Sequence, residues 1–493
     1  MRWNFSSSVH KRMSSKELTN VVGSHGGSGG GNGSSDRFLN GTGQETASPS
    51  WKLPLPHVFV ATISSFIFGY HIGVVNEPLE SISLDLGFGG NTMAEGLVVS
   101  MCTGGAFVGC MFSGWVADGI GRRRAFQMSS LPMIIGASMS ATTTNLPGML
   151  LGRFLVGIGM GLGPPVASLY ITEVSPASVR GTYGSFIQIA TCLGLIGAFF
   201  IGIPVKQIMG WWRVCFWVSA IPPALLAFFM EFCAESPHWL YKRGRMAEVE
   251  SEFERLLGRA HVELAMRELS RSGGDDAESV RFSELIYGRH FRVVFIGATL
   301  FALQQFSGIN AVFYFSSAVF KNAGVPSGLA NMCVGFANLT GSIIAMLLMD
   351  KLGRKVLLLG SFSGMAIAMV LQATASSFHG SHPWNLYISV FGMLMFVLAF
   401  ALGAGPVPGL LLPEIFPNRI RAKAMAVCMC VHWVVNFFVG LLFLRLLEQL
   451  GPHFLYSMFA SACLIATVFV KRNVVETKGK SLQEIEISLL PQE

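Results

Sequence analysis

Amide side chains interrupt several long apolar stretches of this chain of 493 residues. A primary amide donates and accepts hydrogen bonds without carrying a charge, which suits the hydroxyl groups of a neutral sugar. Trp433 adds an aromatic face against which the apolar face of a sugar ring can pack. The alternative interpretation is that buried amides only hold neighbouring helices together. The candidate side chains are Gln188, Gln304, Gln305, Asn310, Asn338, Asn436 and Trp433.

His71, in FGYHIGVVN, lies in equally apolar surroundings. Burying an imidazole without a hydrogen-bond partner costs on the order of 1–3 kcal/mol, so a histidine at this position requires an explanation. Three roles remain open from the residues alone: a proton carrier, a contact to a ligand, or a buried polar group with a hydrogen-bond partner.

Acidic residues and arginines recur together in two short motifs. GWVADGIGRRR and MDKLGRK form one pair, and EVSPASVR and EIFPNRIR, which share E-x-x-P-x-x-x-R, form the other. Carboxylate–arginine pairs are specific in geometry but are easily broken when water enters. We therefore predict a latch that closes the cytosolic side in one state, although plain positive-inside charge would explain the basic residues alone. The motif residues are Asp118, Arg122, Arg123, Asp350, Arg354, Glu173, Arg180, Glu414 and Arg421.

The elements that carry these residues are long apolar segments. The chain is 51% hydrophobic and only 13% charged, which is too apolar for an ordinary soluble protein. About 20 apolar residues cross a bilayer as a helix. The sequence therefore predicts an all-α membrane protein with twelve transmembrane helices, at about 56–76, 94–117, 124–142, 148–172, 182–204, 212–233, 292–314, 329–349, 356–376, 386–412, 422–445 and 451–471.

Lys and Arg are concentrated in the even-numbered connections, which places both termini on the cytosol-like side. The net charge of +7 follows from this rule and forms no clustered basic face, so we expect no nucleic-acid partner. The nine cysteines lie in or beside apolar segments without metal spacing, and we interpret them as small core residues.

Both motifs recur in the same order, so we expect two related six-helix halves, 56–233 and 292–471. Between them, 234–291 is a cytosolic-side linker with amphipathic helices, one of them in RMAEVESEFERLL. Residues 1–55 are a disordered, Ser- and Gly-rich segment that suits either a transit peptide or a cytosolic tail, and 472–493 form a C-terminal tail.

Two of the predicted helices contain breaks. Ser307–Gly308 lets the seventh unwind locally, which would turn Gln305 and Asn310 toward one cavity. GAGPVPGLLLPE, with three prolines, should make the tenth a bendable gate.

Several motifs together resemble the sugar porter branch of the major facilitator superfamily from about residue 57 to 487. They are RFLVGIGMG, EVSPASVRGTYG, AESPHWL, QQFSGINAVFYFS, GRK, PEIFPNRIRA and VETKGKSL. FGYHIGVVN, GAGPVPGLLLPE and ETKGKSLQEIE most resemble the plant plastidic glucose translocator group.

This resemblance implies the major facilitator fold and hexose transport, of glucose in the first place, by alternating access. The family's sugar contacts fall on the amides and Trp433 named above, and its latch also includes Glu235 and Glu476. Where relatives carry a bulky residue this chain has Gly409, and His238 replaces an arginine. His71 replaces the aspartate that works with an arginine, here Arg153, in proton-coupled relatives. A protonated His71 would be repelled by Arg153, so we expect a neutral ring that holds a hydrogen bond in the cavity wall.

We thus expect a facilitative hexose carrier; proton-coupled transport and, less favoured, a sugar-sensing receptor are the alternatives. No nucleophile–base pair or phosphate-binding loop indicates an enzyme, and we expect neither cofactor nor metal. The carrier should function as a monomer in the bilayer. The plastid (chloroplast) envelope is the expected location, with the Golgi or vacuolar membrane as the alternative.

Overall fold

The computed structural model describes residues 50–176, 178–272, 290–322, 324–377, 383–417 and 420–480. Residues 1–49, which form most of the segment interpreted as either a transit peptide or a cytosolic tail, lie outside the described residues. Within the described ranges the chain folds into α-helices, with a short 3₁₀ turn at Arg259–His261. The helices are α1 (Leu55–Gly73), α2 (Leu79–Asp85), α3 (Thr92–Ile120), α4 (Arg122–Thr142), α5 (Leu146–Val174), α6 (Arg180–Val205), α7 (Trp211–Ser219), α8 (Ile221–Met230), α9 (Pro237–Lys242), α10 (Met246–Leu257), α11 (Val262–Ser272), α12 (Phe291–Phe306), α13 (Ile309–Asn322), α14 (Ser327–Leu352), α15 (Arg354–Ser377), α16 (Pro383–Leu402), α17 (Pro406–Ile415) and α18 (Arg421–Asn473).

Ten stretches of the described helices are long and apolar enough to cross a membrane. One of them, Lys423–Asn473, contains two crossings, because Gly451 has a non-helical φ of 78° and Pro452 follows it. Helix α4, which begins with three arginines, adds the twelfth crossing. The prediction of an all-α membrane protein with twelve transmembrane helices is confirmed.

Both predicted helix breaks are present. Ser307 and Gly308 separate α12 from α13, and Gly308 adopts a φ of 87°, which favours glycine. A Cβ on Gly308 would also lie 2.7 Å from the ring of Phe459. Residues 403–405 separate α16 from α17. Each break therefore interrupts one crossing near its middle.

The predicted amphipathic helix corresponds to α10. Val249 and Phe253 are buried and pack in a small cluster with α9 and α11, whereas the buried Leu256 packs against the apolar core of the first half. Met246, the first residue of this helix, is exposed. The linker therefore has its own small apolar core.

Helices of the two halves approach each other at the membrane face opposite the arginine motifs, which we call the opposite face. A Cβ on Gly96, near the start of α3, would lie 2.3 Å from the backbone oxygen of Leu441 in α18. Only glycine permits this close approach of two helix backbones. The arginine motifs lie at the other ends of these bundles, on what we call the cytosol-like face.

Candidate substrate site and gates

The break between α12 and α13 brings two of the predicted amides together. Asn310 donates its Nδ2 to the Oε1 of Gln305 at 2.5 Å. The Nε2 of Gln305 lies 3.0 Å from the Nδ1 of His432 in α18, and 3.4 Å from the Oε1 of Gln304. This convergence agrees with the sequence prediction, whereas contact of these amides with a ligand stays a prediction.

His432 is a site residue that the sequence analysis missed. Because Gln305 already accepts from Asn310, its Nε2 is the atom that faces His432, and Nδ1 of the ring must be the acceptor. A signal was available, since His432 directly precedes Trp433 in HWVVNF.

The Nε2 of Gln304 is directed away from Gln305 and Asn310. It donates to the backbone oxygen of Ala404 at 2.6 Å, at the break between α16 and α17. Gln304 is 5% exposed, so this buried contact fastens the candidate site to the bendable part of the tenth crossing. The gate at this break stays a prediction.

A second polar group lies where α6 of the first half faces α14 of the second. Gln188 donates to Ser342 at 3.3 Å, and the Nδ2 of Asn338 lies 3.4 Å from the sulfur of Cys192. Gln188 and Asn338 therefore each contact the other half of the protein at mid-membrane. Cys192 and Ser342 were not predicted to belong here.

The last two predicted site residues, Asn436 and Trp433, lie on α18. Asn436 accepts a hydrogen bond from the hydroxyl of Tyr314 at 3.4 Å. The Trp433 ring lies edge-on to Phe68 of α1, with ring centroids 5.9 Å apart. Trp433 is 4% exposed, so in this state its ring packs between the halves. The space beside Gly409 is open, since no atom lies within 4 Å of a Cβ placed there.

The expected hydrogen bond of His71 is not found. Both ring nitrogens are buried without a partner among the described residues. The Nη2 of Arg153 donates at 3.4 Å to the backbone oxygen of His71, and its Nε donates to the backbone oxygen of Val98. Arg153 thus bonds the backbone of α1 and not the imidazole of His71, which is 1% exposed.

The latch arginines form their ion pairs within each half. Arg122 binds Glu173 with two hydrogen bonds of 2.9 Å and also contacts Asp118 at 3.1 Å. In the second half, Arg354 pairs with Glu414 at 3.0 Å. Each of these pairs joins two helices of one half. Closure of the cytosolic side by these residues stays a prediction.

Carboxylates that follow the last helix of each half cap the start of another helix. Glu235 accepts from the backbone N–H of Arg122 at 3.0 Å, and Glu476 accepts from that of Arg354 at 2.9 Å. These bonds lower the pKa of Glu476 although burial opposes them, whereas burial dominates at Glu235 and raises its pKa. The two halves thus share this capping interaction.

The remaining latch residues bind backbone oxygens. Arg180 donates to Ser175 and Arg421 donates to Phe416, each five residues earlier in the chain. Arg123 donates to the backbone oxygen of Met230. The side chain of Asp350 lies outside the described residues. His238 is kept neutral at pH 7, since burial lowers its pKa despite the nearby Glu173 carboxylate.

Replacing Arg122 by glutamine should lower the thermal stability of the purified protein more than Arg354→Gln does. The Arg122 and Glu173 side chains are 5% and 11% exposed, whereas Arg354 and Glu414 are 18% and 31% exposed. Leaving one partner of a buried pair charged costs roughly 3–5 kcal/mol. The melting temperature in detergent measures this, with Arg245→Gln, whose pair with Glu248 is exposed, as the control. Equal melting temperatures in all three variants would contradict it.

Glu77 organises a clamp on the opposite face that the sequence analysis also missed. Its carboxylate accepts hydrogen bonds from one residue of the first half and three of the second: Lys206 at 2.5 Å, Ser317 at 2.5 Å, Ser327 at 2.7 Å and Asn331 at 2.9 Å. Burial would raise the pKa of Glu77, but these bonds outweigh it and lower the pKa, so the carboxylate is ionised at neutral pH. The clamp joins the ends of α1 and α6 to α13 and α14.

Asn76 extends the clamp. Its Nδ2 donates to the backbone oxygen of Phe313 at 2.8 Å and to Ser316 at 2.7 Å, and its Oδ1 accepts from the backbone N–H of Ser317. The clamp fastens the halves on the opposite face, while the latch pairs on the cytosol-like face stay within their own halves. With its halves fastened on the opposite face, the carrier can open only toward the cytosol-like face.

Twelve crossings, helix breaks beside buried amides and a clamp on one face define a membrane transporter of the major facilitator fold. A sequence model described as "Sugar (and other) transporter" matches residues 57–489. The chain is 68% identical to the probable plastidic glucose transporter 2 of Arabidopsis thaliana, over 98% of each chain. It is 44% identical to the plastidic glucose transporter 4 of the same plant, over 88% of this chain and 80% of the relative.

Among solved structures, the inward open conformation of the xylose transporter XylE from E. coli superposes with a TM-score of 0.77. The two sequences are 29% identical, and the match covers 88% of this chain and 99% of XylE. The chain belongs to the sugar transporter family.

Proposed function

We propose that this chain carries glucose, or a closely related hexose, across a plastid envelope membrane by alternating access. The observation that supports this proposal is that both halves contribute buried, uncharged amides: Gln305 bonds Asn310 in the second half, and Gln188 of the first half bonds Ser342 of α14 across the interface. Such groups can exchange hydrogen bonds with sugar hydroxyls without moving a charge through the bilayer. The plastidic names of the similar plant transporters support the substrate and the membrane.

Transport is facilitative in this proposal, and the sugar is released unchanged by a carrier that works as a monomer. The supporting observation is that His71 stands beside Arg153 without a carboxylate in a described ion pair with that arginine. A carboxylate that exchanges a proton while paired with arginine would provide coupling, whereas a buried imidazole beside a cation disfavours protonation. Proton coupling is the second candidate, because solved xylose symporters share the fold at 28% identity.

Purified protein in liposomes should equilibrate labelled glucose at the same rate with and without an imposed pH gradient. His71→Gln should behave like the unaltered protein, since neither side chain would carry a proton. Chromatography of the released label tests that the sugar is unchanged. Accumulation of glucose driven by the pH gradient, lost in His71→Gln, would replace facilitation by proton coupling. Absence of any glucose flux would overturn the proposed function.

A further inference from the structure

Four polar side chains form a cluster where α6 faces α14. Gln188 and Cys192 are one turn apart on α6, and Asn338 and Ser342 are one turn apart on α14. Residues at this spacing share one face of a helix. The two faces meet between the halves, so that any movement of one half relative to the other changes these contacts.

The Cys192 sulfur lies at the centre of this cluster. It is 3.4 Å from the Nδ2 of Asn338, 3.5 Å from the hydroxyl oxygen of Ser342 and 3.8 Å from the Nε2 of Gln188. The cysteine is fully buried, at 0% exposure. A thiol is a weak hydrogen-bonding group, so its contacts are exchanged at low cost.

Among the described residues, the side chain of Asn338 has one hydrogen-bond partner, this thiol. Its Nδ2 is directed at the sulfur, while its Oδ1 is buried without a partner among the described residues. The residue is 4% exposed. A buried amide oxygen without a hydrogen bond is unfavourable, so this arrangement of Asn338 is poised to change.

We propose that Cys192 is a positioning residue that withholds Asn338 from the sugar while the cavity is open to the cytosol-like face. When the halves move and α6 shifts against α14, the thiol contact is lost and Asn338 becomes available to a sugar hydroxyl. This inference rests on the proposed function. Its consequence is that the carrier binds sugar more weakly from the cytosol-like face than it would without the thiol.

Two substitutions at this position change the contact in opposite directions. Cys192→Val has a similar volume and no polar atom, so it releases the Asn338 amide. Cys192→Ser places a stronger hydrogen-bonding group there, so it holds the amide more firmly. Cys463→Val alters another fully buried thiol, on α18, and is the matched control.

The test is the half-saturating glucose concentration of each variant, measured from each face in vesicles sorted by orientation. From the cytosol-like face we expect about a two- to fivefold fall in Cys192→Val and a similar rise in Cys192→Ser. From the opposite face, and in Cys463→Val, the value should be unchanged. Identical values in both Cys192 variants, or equal changes from both faces, would overturn the inference while leaving glucose transport itself in place. Failure of the unaltered protein to carry glucose would overturn the proposed function, and the inference with it.

Discussion

Gln305→Ala is expected to raise the half-saturating glucose concentration by about tenfold or more at an unchanged amount of protein in the membrane. The side chain holds Asn310 and His432 on either side, with contacts of 2.5 and 3.0 Å. Its removal loses the bonds of Gln305 to sugar and leaves both neighbours without their partner. Two or three lost hydrogen bonds of about 1 kcal/mol each give at least this factor.

The matched control is Gln372→Ala. Gln372 is also a buried glutamine of the second half, but it bonds Ser389 on a neighbouring helix and belongs to no candidate site. We expect its loss to lower thermal stability and to leave the half-saturating concentration unchanged. If both variants changed sugar affinity equally, or neither did, buried amides would be helix contacts only.

Glu77→Gln is expected to move the unliganded carrier toward the state that is open on the opposite face, by roughly tenfold in population. The carboxylate accepts from four donors, of which three belong to the second half, and a neutral amide cannot satisfy them all. Lys206 also loses its counter-charge. A tenfold shift corresponds to about 1.4 kcal/mol, less than the combined strength of these charge-assisted bonds.

Alkylation rates of single cysteines introduced at the mouth of the cavity on each face measure this shift. Reactivity on the opposite face should rise and reactivity on the cytosol-like face should fall. Glu80→Gln is the control, because the pair of Glu80 with Lys321 is exposed at both side chains and contributes little. Equal alkylation in Glu77→Gln and the unaltered protein would show that the clamp does not set the resting state.

The crossings and breaks could be predicted because they depend on properties local to the sequence. Hydrophobic length decides where a helix crosses, and Gly308 and the prolines of GAGPVPG decide where it bends. The contact of Asn310 with Gln305 followed from such a break, because the two residues are only five positions apart and lie on either side of it. These features need no knowledge of how distant helices pack.

The partners of the charged and polar residues could not be predicted in the same way. Glu77 lies 240 residues from Ser317 in the chain, and no pattern in either segment specifies the other. The repeated motifs indicated that acids and arginines belong together, but repetition alone did not distinguish pairs within a half from pairs between halves. His71 was misjudged for a related reason, because which side of α1 faces Arg153 depends on packing.

The caps formed by Glu235 and Glu476 have a consequence for how such a carrier evolves. Each cap ties the end of its half back to an earlier helix of the same half, so this part of the stabilisation of a half does not depend on the other half. Residues between the halves then contribute less to the stability of each half, so they can be substituted more freely. A lineage could change the sugar it accepts by substitutions beside Gln305 or Gly409 while both caps are inherited unchanged.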